Sequence, residues 1–270
     1  MTMRKLITIT ILVSTAGITQ AEENWLQKAA NKTIVKFDGK NIKIQDDYKK
    51  DRRGKVVVRR VKPECKSDWN NDPTALPYLF YQLRERTQGK FPVYLDNQAI
   101  SLVGDEIFDY PIIYFTSHFP FQFTDEEVDN LKKYFARGGT FLFDDCVGTG
   151  PFMDSVPANV QRIAPGTEMK LMLKESKEFD ILFDLVYKLN GMPPLKEQFM
   201  QPFQCAFFNG RPAFLICPND YGCNWEVASP PTALNPLGNA AHGDSTPTVQ
   251  KSRELVYQLS INWLFYALTH

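Results

Sequence analysis

The chain has 270 residues, with 31 basic and 31 acidic side chains balancing to a formal charge of +0, and 13% of its residues are aromatic. A near-neutral chain without a basic block argues against nucleic acid as the partner, because that binding rests on phosphate neutralisation. The one basic run, Lys49-Lys50-Asp51-Arg52-Arg53, reads as a solvated turn.

The N-terminus carries Arg4 and Lys5, an apolar run from Leu6 to Ile18, and the small residue Ala21 before Glu22-Glu23. A basic start, a short apolar stretch and a small residue at the cleavage point describe a secretory signal peptide over residues 1–21, too short for a stable membrane span. Cleavage after Ala21 removes Arg4 and Lys5 and no acid, which leaves the balance slightly negative. No later stretch is apolar and long enough to span a membrane. The expected localisation is therefore periplasmic or secreted, a compartment that permits disulfides. All five cysteines, Cys65, Cys146, Cys205, Cys217 and Cys223, follow the leader. An odd number leaves at least one thiol free unless chains pair, and Cys217 and Cys223 are close enough to close a small loop.

Residues 22–54 read as a small N-terminal β appendage or a linker, in which Thr33-Ile-Val-Lys-Phe and Asn41-Ile-Lys-Ile flank the turn signal Asp38-Gly39. The main domain spans 55–270. Its first strand is Lys55-Val-Val-Val-Arg-Arg-Val, dense in β-branched residues. Asp72 is expected to cap a helix that begins at Pro73, presents Leu76, Leu79, Phe80 and Leu83 on one face, and stops near Gly89. A short strand is expected at Phe91-Pro-Val-Tyr-Leu.

The clearest unit runs from Pro111 to Gly150. A strand, Ile112-Ile-Tyr-Phe-Thr-Ser117, leads to His118; an amphipathic helix follows from Thr124, with a capping box between Thr124 and Glu127. Gly138-Gly139 stops it, and a second strand, Thr140-Phe-Leu-Phe, ends in Asp144-Asp145-Cys146. Two apolar strands joined by one helix predict a parallel βαβ crossover. Further on, the pattern predicts a short helix over Ser155–Ile163, a strand near Met169–Leu173 and an apolar segment near Phe179–Leu189. A hairpin is expected around Asn209-Gly210, leading into Asp220 and Trp225-Glu226. Residues 227–248 read as a long loop, of the kind that is functional or mobile in a compact domain, and residues 249–268 as a closing helix.

In an open parallel sheet, ligands bind beyond the carboxyl ends of the strands. His118, Asp144, Asp145 and Cys146 follow two such strands, and Asp220, Trp225 and Glu226 follow a third if it runs the same way. These are the candidate site residues. Cys146 stands where a nucleophile elbow would place a reactive thiol, although free cysteine behaves mostly as a small hydrophobe, which favours a small buried residue beside the turn. Asp144 and Asp145 with His118 could hold a metal, or the two acids could cap the following turn. The run Phe119-Pro-Phe-Gln-Phe reads as core. Gly148-Thr149-Gly150 lacks the lysine of a phosphate loop, and no nucleotide or other cofactor is expected.

These residues also carry a family resemblance. Val58-Arg-Arg-Val61 with Trp69, Tyr110-Pro111 through His118, Thr124-Asp-Glu-Glu with Leu131 and Tyr134, Gly138-Gly139 with Asp144-Asp145, and Asn219-Asp220 with Trp225-Glu226 resemble a bacterial family of unknown function, number 4159. The resemblance covers Val56 to the C-terminus. It implies an exported or membrane-tethered protein with a class I glutamine-amidotransferase-like, flavodoxin-like fold: a three-layer α/β sandwich on a mainly parallel sheet. It implies no established activity. Two departures set the chain apart from amidotransferase chemistry: Asp144 stands where the elbow has glycine, and no His-x-Glu pair is present, His242-Gly243-Asp244 being the nearest approximation. The expectation is a non-catalytic domain binding a small molecule or an envelope protein through an acidic pocket. The alternative is a hydrolase using Cys146 or a metal.

Overall fold

The computed structural model describes residues 54–96, 98–148, 150–173, 182–195, 199–229, 234–242 and 246–270, together with the backbone of two short strands before them. The leader, the Asp38-Gly39 turn, the basic run at 49–53 and parts of the 227–248 loop lie outside these residues. The two early strands, β1 (Thr33–Phe37) and β2 (Ile42–Asp46), pair antiparallel.

Among the described residues the large sheet has seven strands: β3 (Val58–Lys62), β4 (Ala99–Ser101), β5 (Ile112–Ser117), β6 (Thr140–Asp145), β7 (Met169–Met172), β8 (Phe203–Phe208) and β9 (Arg211–Cys217). Their spatial order is β4-β3-β5-β6-β9-β8-β7. The first five pair in parallel, whereas β8 and β7 are added antiparallel. The sheet is thus mixed and mostly parallel. β9 is the turning point: it forms the hairpin with β8 on one side and runs parallel to β6 on the other, so its carboxyl end faces the same edge as those of β5 and β6.

Successive residues of a strand point to opposite faces, and those of β5 alternate between two cores. Ile112 and Tyr114 pack with α1 (Ala75–Arg86) and α5 (Pro247–Thr269), through residues such as Leu79, Val256 and Trp263. Ile113 and Phe115 pack with α2 (Asp125–Ala136) and α3 (Pro151–Ile163), through Leu131, Phe135 and Phe152. Strands buried on both faces need near-continuous apolar sequence, which is how β5 reads. Phe121 and Phe123 join the second core, and Phe119 is exposed. A short helix, α4 (Tyr221–Trp225), caps the carboxyl edge. Among the described residues, no helix is long and apolar enough to cross a membrane.

The capping box at Thr124 and Glu127 forms with both reciprocal hydrogen bonds. Two local readings differ from the structure. The segment 91–95 contributes one parallel bridge, Val93 to Val56, because Pro92 has no N–H to extend a ladder; the edge strand is β4 instead. Helix α1 is capped at Thr74, which makes no side-chain cap, and Asp72 is free for another role.

The paired glycines after α2 do different work. Gly138 adopts φ +90°, in the left-handed region. At Gly139 a Cβ would lie 2.2 Å from the Tyr134 ring, whose hydroxyl donates to the Thr140 carbonyl at 3.0 Å. Gly139→Ala should therefore overpack the junction and cost about 1–3 kcal/mol. Gly138→Ala meets open space and should cost only the left-handed penalty of about 1–2 kcal/mol. Urea midpoints check this: the addition of Tyr134→Leu should rescue Gly139→Ala and leave Gly138→Ala unrescued.

Candidate functional site

The carboxyl edge is organised by Asp144, the fifth residue of β6, which is fully buried. Its Oδ1 accepts the N–H of Tyr221 at 3.0 Å, and its Oδ2 accepts the N–H of Gly222 at 2.6 Å and the Tyr114 hydroxyl at 2.9 Å. The side chain thereby fastens the start of α4 to the sheet. Gly222 has to be glycine here, since a Cβ would lie 2.7 Å from Asp72 Oδ2 and 2.8 Å from the Tyr114 hydroxyl. Burial pushes Asp144 up to about 7, against hydrogen bonds from Cys217, Gly222, Tyr221 and Tyr114 that favour its charged form. Asp145 closes the next turn, accepting the N–H of Val147 at 2.9 Å and of Gly150 at 3.1 Å.

With α4 held in this way, four side chains from three loops converge. Asp72 follows β3, Cys146 follows β6, and Asp220 and Cys223 lie at the start of α4 after β9; one donor atom from each lies within 4.8 Å of all the others. Cys146 Sγ is 3.7 Å from Asp72 Oδ2, Cys223 Sγ is 3.3 Å from Asp72 Oδ1, and the two sulfurs are 3.9 Å apart. Asp220 stands in the left-handed region at φ +52° and accepts the Cys223 N–H at 3.4 Å. All five cysteines are free thiols; Cys223 faces Cys146, and Cys217 is buried beside Asp144.

A second group shares Asp72 and adds Glu226 and His242. Glu226 is fully buried. Its Oε1 accepts the N–H of Thr74 at 2.8 Å and the Thr74 hydroxyl at 2.6 Å, and its Oε2 lies 3.0 Å from His242 Nε2. A carboxylate from far along the chain thus serves the N-terminus of α1, where negative charge is favoured. His242 is brought there by the pairing of Val227 with Ala240 and by the Ala241 N–H donated to the Glu226 carbonyl. Arg253 of α5 clamps the same segment, donating to the carbonyls of Asn224, Glu226 and Gly238.

Arg60 of β3 supports the Asp72 loop, donating to the carbonyls of Trp69 at 2.6 Å and Asp72 at 2.5 Å, with its guanidinium over the Tyr114 ring. Among the described residues, the ion-pair contacts of Asp72 and Glu226 are with His242. Burial, followed by the charge of Glu226, raises Asp72 despite Arg60. Burial, followed by the charges of Asp144 and Asp72, pushes Asp220 up to about 9. At Cys146 the hydrogen bond from Cys223 favours the thiolate, but burial and the charges of Asp220, Asp72 and Asp144 outweigh it and leave the thiol at about 11. Its bond to Cys146 and burial also drive the Cys223 thiol upward. An activated cysteine nucleophile needs the opposite environment, positive and partly open.

The sequence-predicted residues thus divide. Cys146 and Asp220 lie in the first group and Glu226 in the second; Asp144 and Asp145 lie beneath them as fasteners and belong to neither group. His118 is exposed and paired with Asp68, which also accepts the Ser117 hydroxyl at 2.6 Å and the His118 N–H at 2.8 Å. Those hydrogen bonds hold Asp68 low against its partial burial. Trp225 faces the core, its Nε1 donating to Ser260 at 3.0 Å. Asp72, Cys223 and His242 were not among the predicted site residues. Asp72 was hidden by its resemblance to a helix cap and Cys223 by its closeness to Cys217.

The raised acids make stability pH-dependent. Asp220 holds its proton in the fold at pH values where the unfolded chain has lost it, so its ionisation lowers stability as pH rises from about 4 to about 9. Asn tolerates the left-handed conformation and keeps the acceptor for Cys223. In chelator-treated protein, Asp220→Asn should therefore melt several degrees above wild type at pH 8, and the gap should close towards pH 4. Thermal unfolding followed by circular dichroism across that range checks it.

No curated protein matches this sequence. The family described as Domain of unknown function (DUF4159) matches residues 57–268, a span that includes β3 to β9, helices α1 to α4, all but the last residue of α5, and every residue of both groups. The chain belongs to the DUF4159 family.

Proposed function

We propose that this protein is an exported, non-catalytic binding domain of the cell envelope, whose acidic pocket at the carboxyl edge of the sheet takes a small cation. The observation that carries this reading is the charge balance of the pocket. Asp72, Asp220 and Glu226 are buried together with two thiols, while among the described residues the nearby guanidinium groups, Arg60 and Arg253, are engaged with backbone carbonyls and the ring of His242 is the basic group in contact with the acids. Buried acids short of positive charge hold protons instead, and a cation entering the pocket would displace them.

The position of the pocket supports the same reading. The five parallel strands follow, in chain order, the spatial sequence second, first, third, fourth, fifth. That is the flavodoxin-like order, in which ligands lie beyond the carboxyl ends of the strands. An amidotransferase-like member of this class would use a thiol at the end of the fourth strand, where Cys146 stands. The raised thiol, which meets Asp72 and Cys223, favours binding over hydrolysis. The apolar run at residues 6–18 supports export.

Thermal melts of chelator-stripped protein test the reading, with Zn2+, Mn2+, Ca2+ and spermidine as probes. A cation at 100 times its Kd should stabilise the fold by about 2.7 kcal/mol, or about 5–10 °C for a chain of this size. Glu226→Gln or Asp220→Asn should shrink the rise. Unchanged melting with all four probes, or rapid stoichiometric alkylation of Cys146 at neutral pH, would overturn it.

A further inference from the structure

We propose that the cation is a soft divalent metal of the Zn2+ type, held tetrahedrally by Cys146, Cys223, Asp72 and Asp220. The assignment rests on the binding reading above and deepens it. Its first support is distance. In a tetrahedral site with metal–sulfur bonds of about 2.3 Å and metal–oxygen bonds of about 2.0–2.2 Å, two sulfurs lie about 3.8 Å apart and a sulfur and an oxygen about 3.5 Å apart. Here the sulfurs are 3.9 Å apart, with Cys146 Sγ 3.7 Å from Asp72 Oδ2 and Cys223 Sγ 3.3 Å from Asp72 Oδ1, one thiol on each oxygen of the carboxylate. One donor atom from each of the four side chains, Asp220 included, lies within 4.8 Å of all the others, so the set can close on one centre. A disulfide would need sulfurs about 2.0 Å apart.

The second support is Asp72. Its side chain is 2% exposed, yet among the described residues its carboxylate accepts hydrogen bonds from the two thiols and from no N–H or O–H group, His242 Nε2 lying 4.0 Å away. Such a carboxylate normally accepts hydrogen bonds from amides, as Asp144 and Asp145 do a few ångströms away. Aimed between two thiols, it fits a ligand better than a cap.

The donor set selects the metal. Ca2+ and Mg2+ take oxygen shells of six or more, whereas two thiols and two carboxylates in a tight tetrahedron suit Zn2+. On coordination each thiol, and each carboxyl that still holds one, gives its proton to solvent, and two thiolates with two carboxylates surround the ion. Four protein ligands close the site, as in metal sites that hold structure and leave no position for substrate. The ion would tie together the loops after β3, β6 and β9. Glu226 and His242 lie beside Asp72, His242 Nε2 being 4.0 Å from Asp72 Oδ1, and can orient it.

Metal analysis and Co2+ substitution of the protein, purified without chelator and under reducing conditions, test the proposal. One equivalent of Zn2+ is expected. After exchange, Co2+ should give intense tetrahedral visible bands and a near-ultraviolet thiolate-to-cobalt band. Cys146→Ser and Cys223→Ser should each weaken binding by more than about 100-fold. Should either variant fail to fold, the wild-type Co2+ spectrum decides alone. A pale octahedral spectrum, or binding without the thiolate band as from Asp72, Glu226 and His242, overturns the assignment. So does a quantitative Cys146–Cys223 disulfide in the native protein. If Mn2+, Ca2+ or spermidine stabilises the fold while Zn2+ does not, the metal assignment falls and the cation-binding reading stands. If no cation acts, both fall.

Discussion

The candidate site depends on one carboxylate that does not belong to it. Asp144 accepts two consecutive amides from the start of α4 and the hydroxyl of Tyr114, and those three bonds fix where α4 begins. Everything that α4 carries, Asp220 and Cys223 at its start and Glu226 at its end, is placed by that docking. An amide pair at a helix N-terminus favours the anion, and the low-dielectric surroundings strengthen each bond. The cost is a buried carboxyl pushed up to about 7, which makes the fastening sensitive to protonation. The register explains why Asp144 has this role: it pairs with Thr116 of β5 and Cys217 of β9, one residue before β6 ends, so its side chain stays inside the edge while Cys146 emerges two residues later.

The local signals in the sequence were legible where their physics is local. Thr124 and Glu127 sit three residues apart and satisfy each other, and the glycines at 138 and 139 come directly after, so the helix and its stop needed nothing from elsewhere. The continuous apolar run from Ile112 to Phe115 gave a strand buried on both faces, and Asn209-Gly210 gave the β8–β9 hairpin. The site was legible only in part because its decisive contacts are long-range. Asp72 precedes a proline and a helix, which is how a cap looks. Only the approach of Glu226 to Thr74 removes the need for one, and 152 residues separate the two. Cys223 lies six residues after Cys217, yet β9 buries Cys217 toward Asp144 and α4 turns Cys223 toward Cys146.

His118 shows the converse. It occupies the position a parallel sheet gives to functional residues, but the β3–α1 loop supplies Asp68, which collects the Ser117 hydroxyl, the His118 amide and the His118 ring. Nothing in the strand itself signals that partner. Trp225 is similar: beside acids it reads as the wall of a pocket, whereas the buried Ser260 of α5 gives its indole N–H a partner and draws the ring into the core.

The two readings of Cys146 can be separated by one electrostatic argument. A nucleophilic thiol needs its neighbours to favour negative charge, and here Asp220, Asp72 and Asp144 oppose it. Each neighbour that disfavours a bare thiolate becomes favourable once a divalent cation sits among them, because the attraction of every anion to the ion replaces its repulsion of the others. The features that make this edge a poor nucleophile site, crowded carboxylates, two facing thiols and an Asp72 without amide donors, are therefore the ones a cation would resolve together.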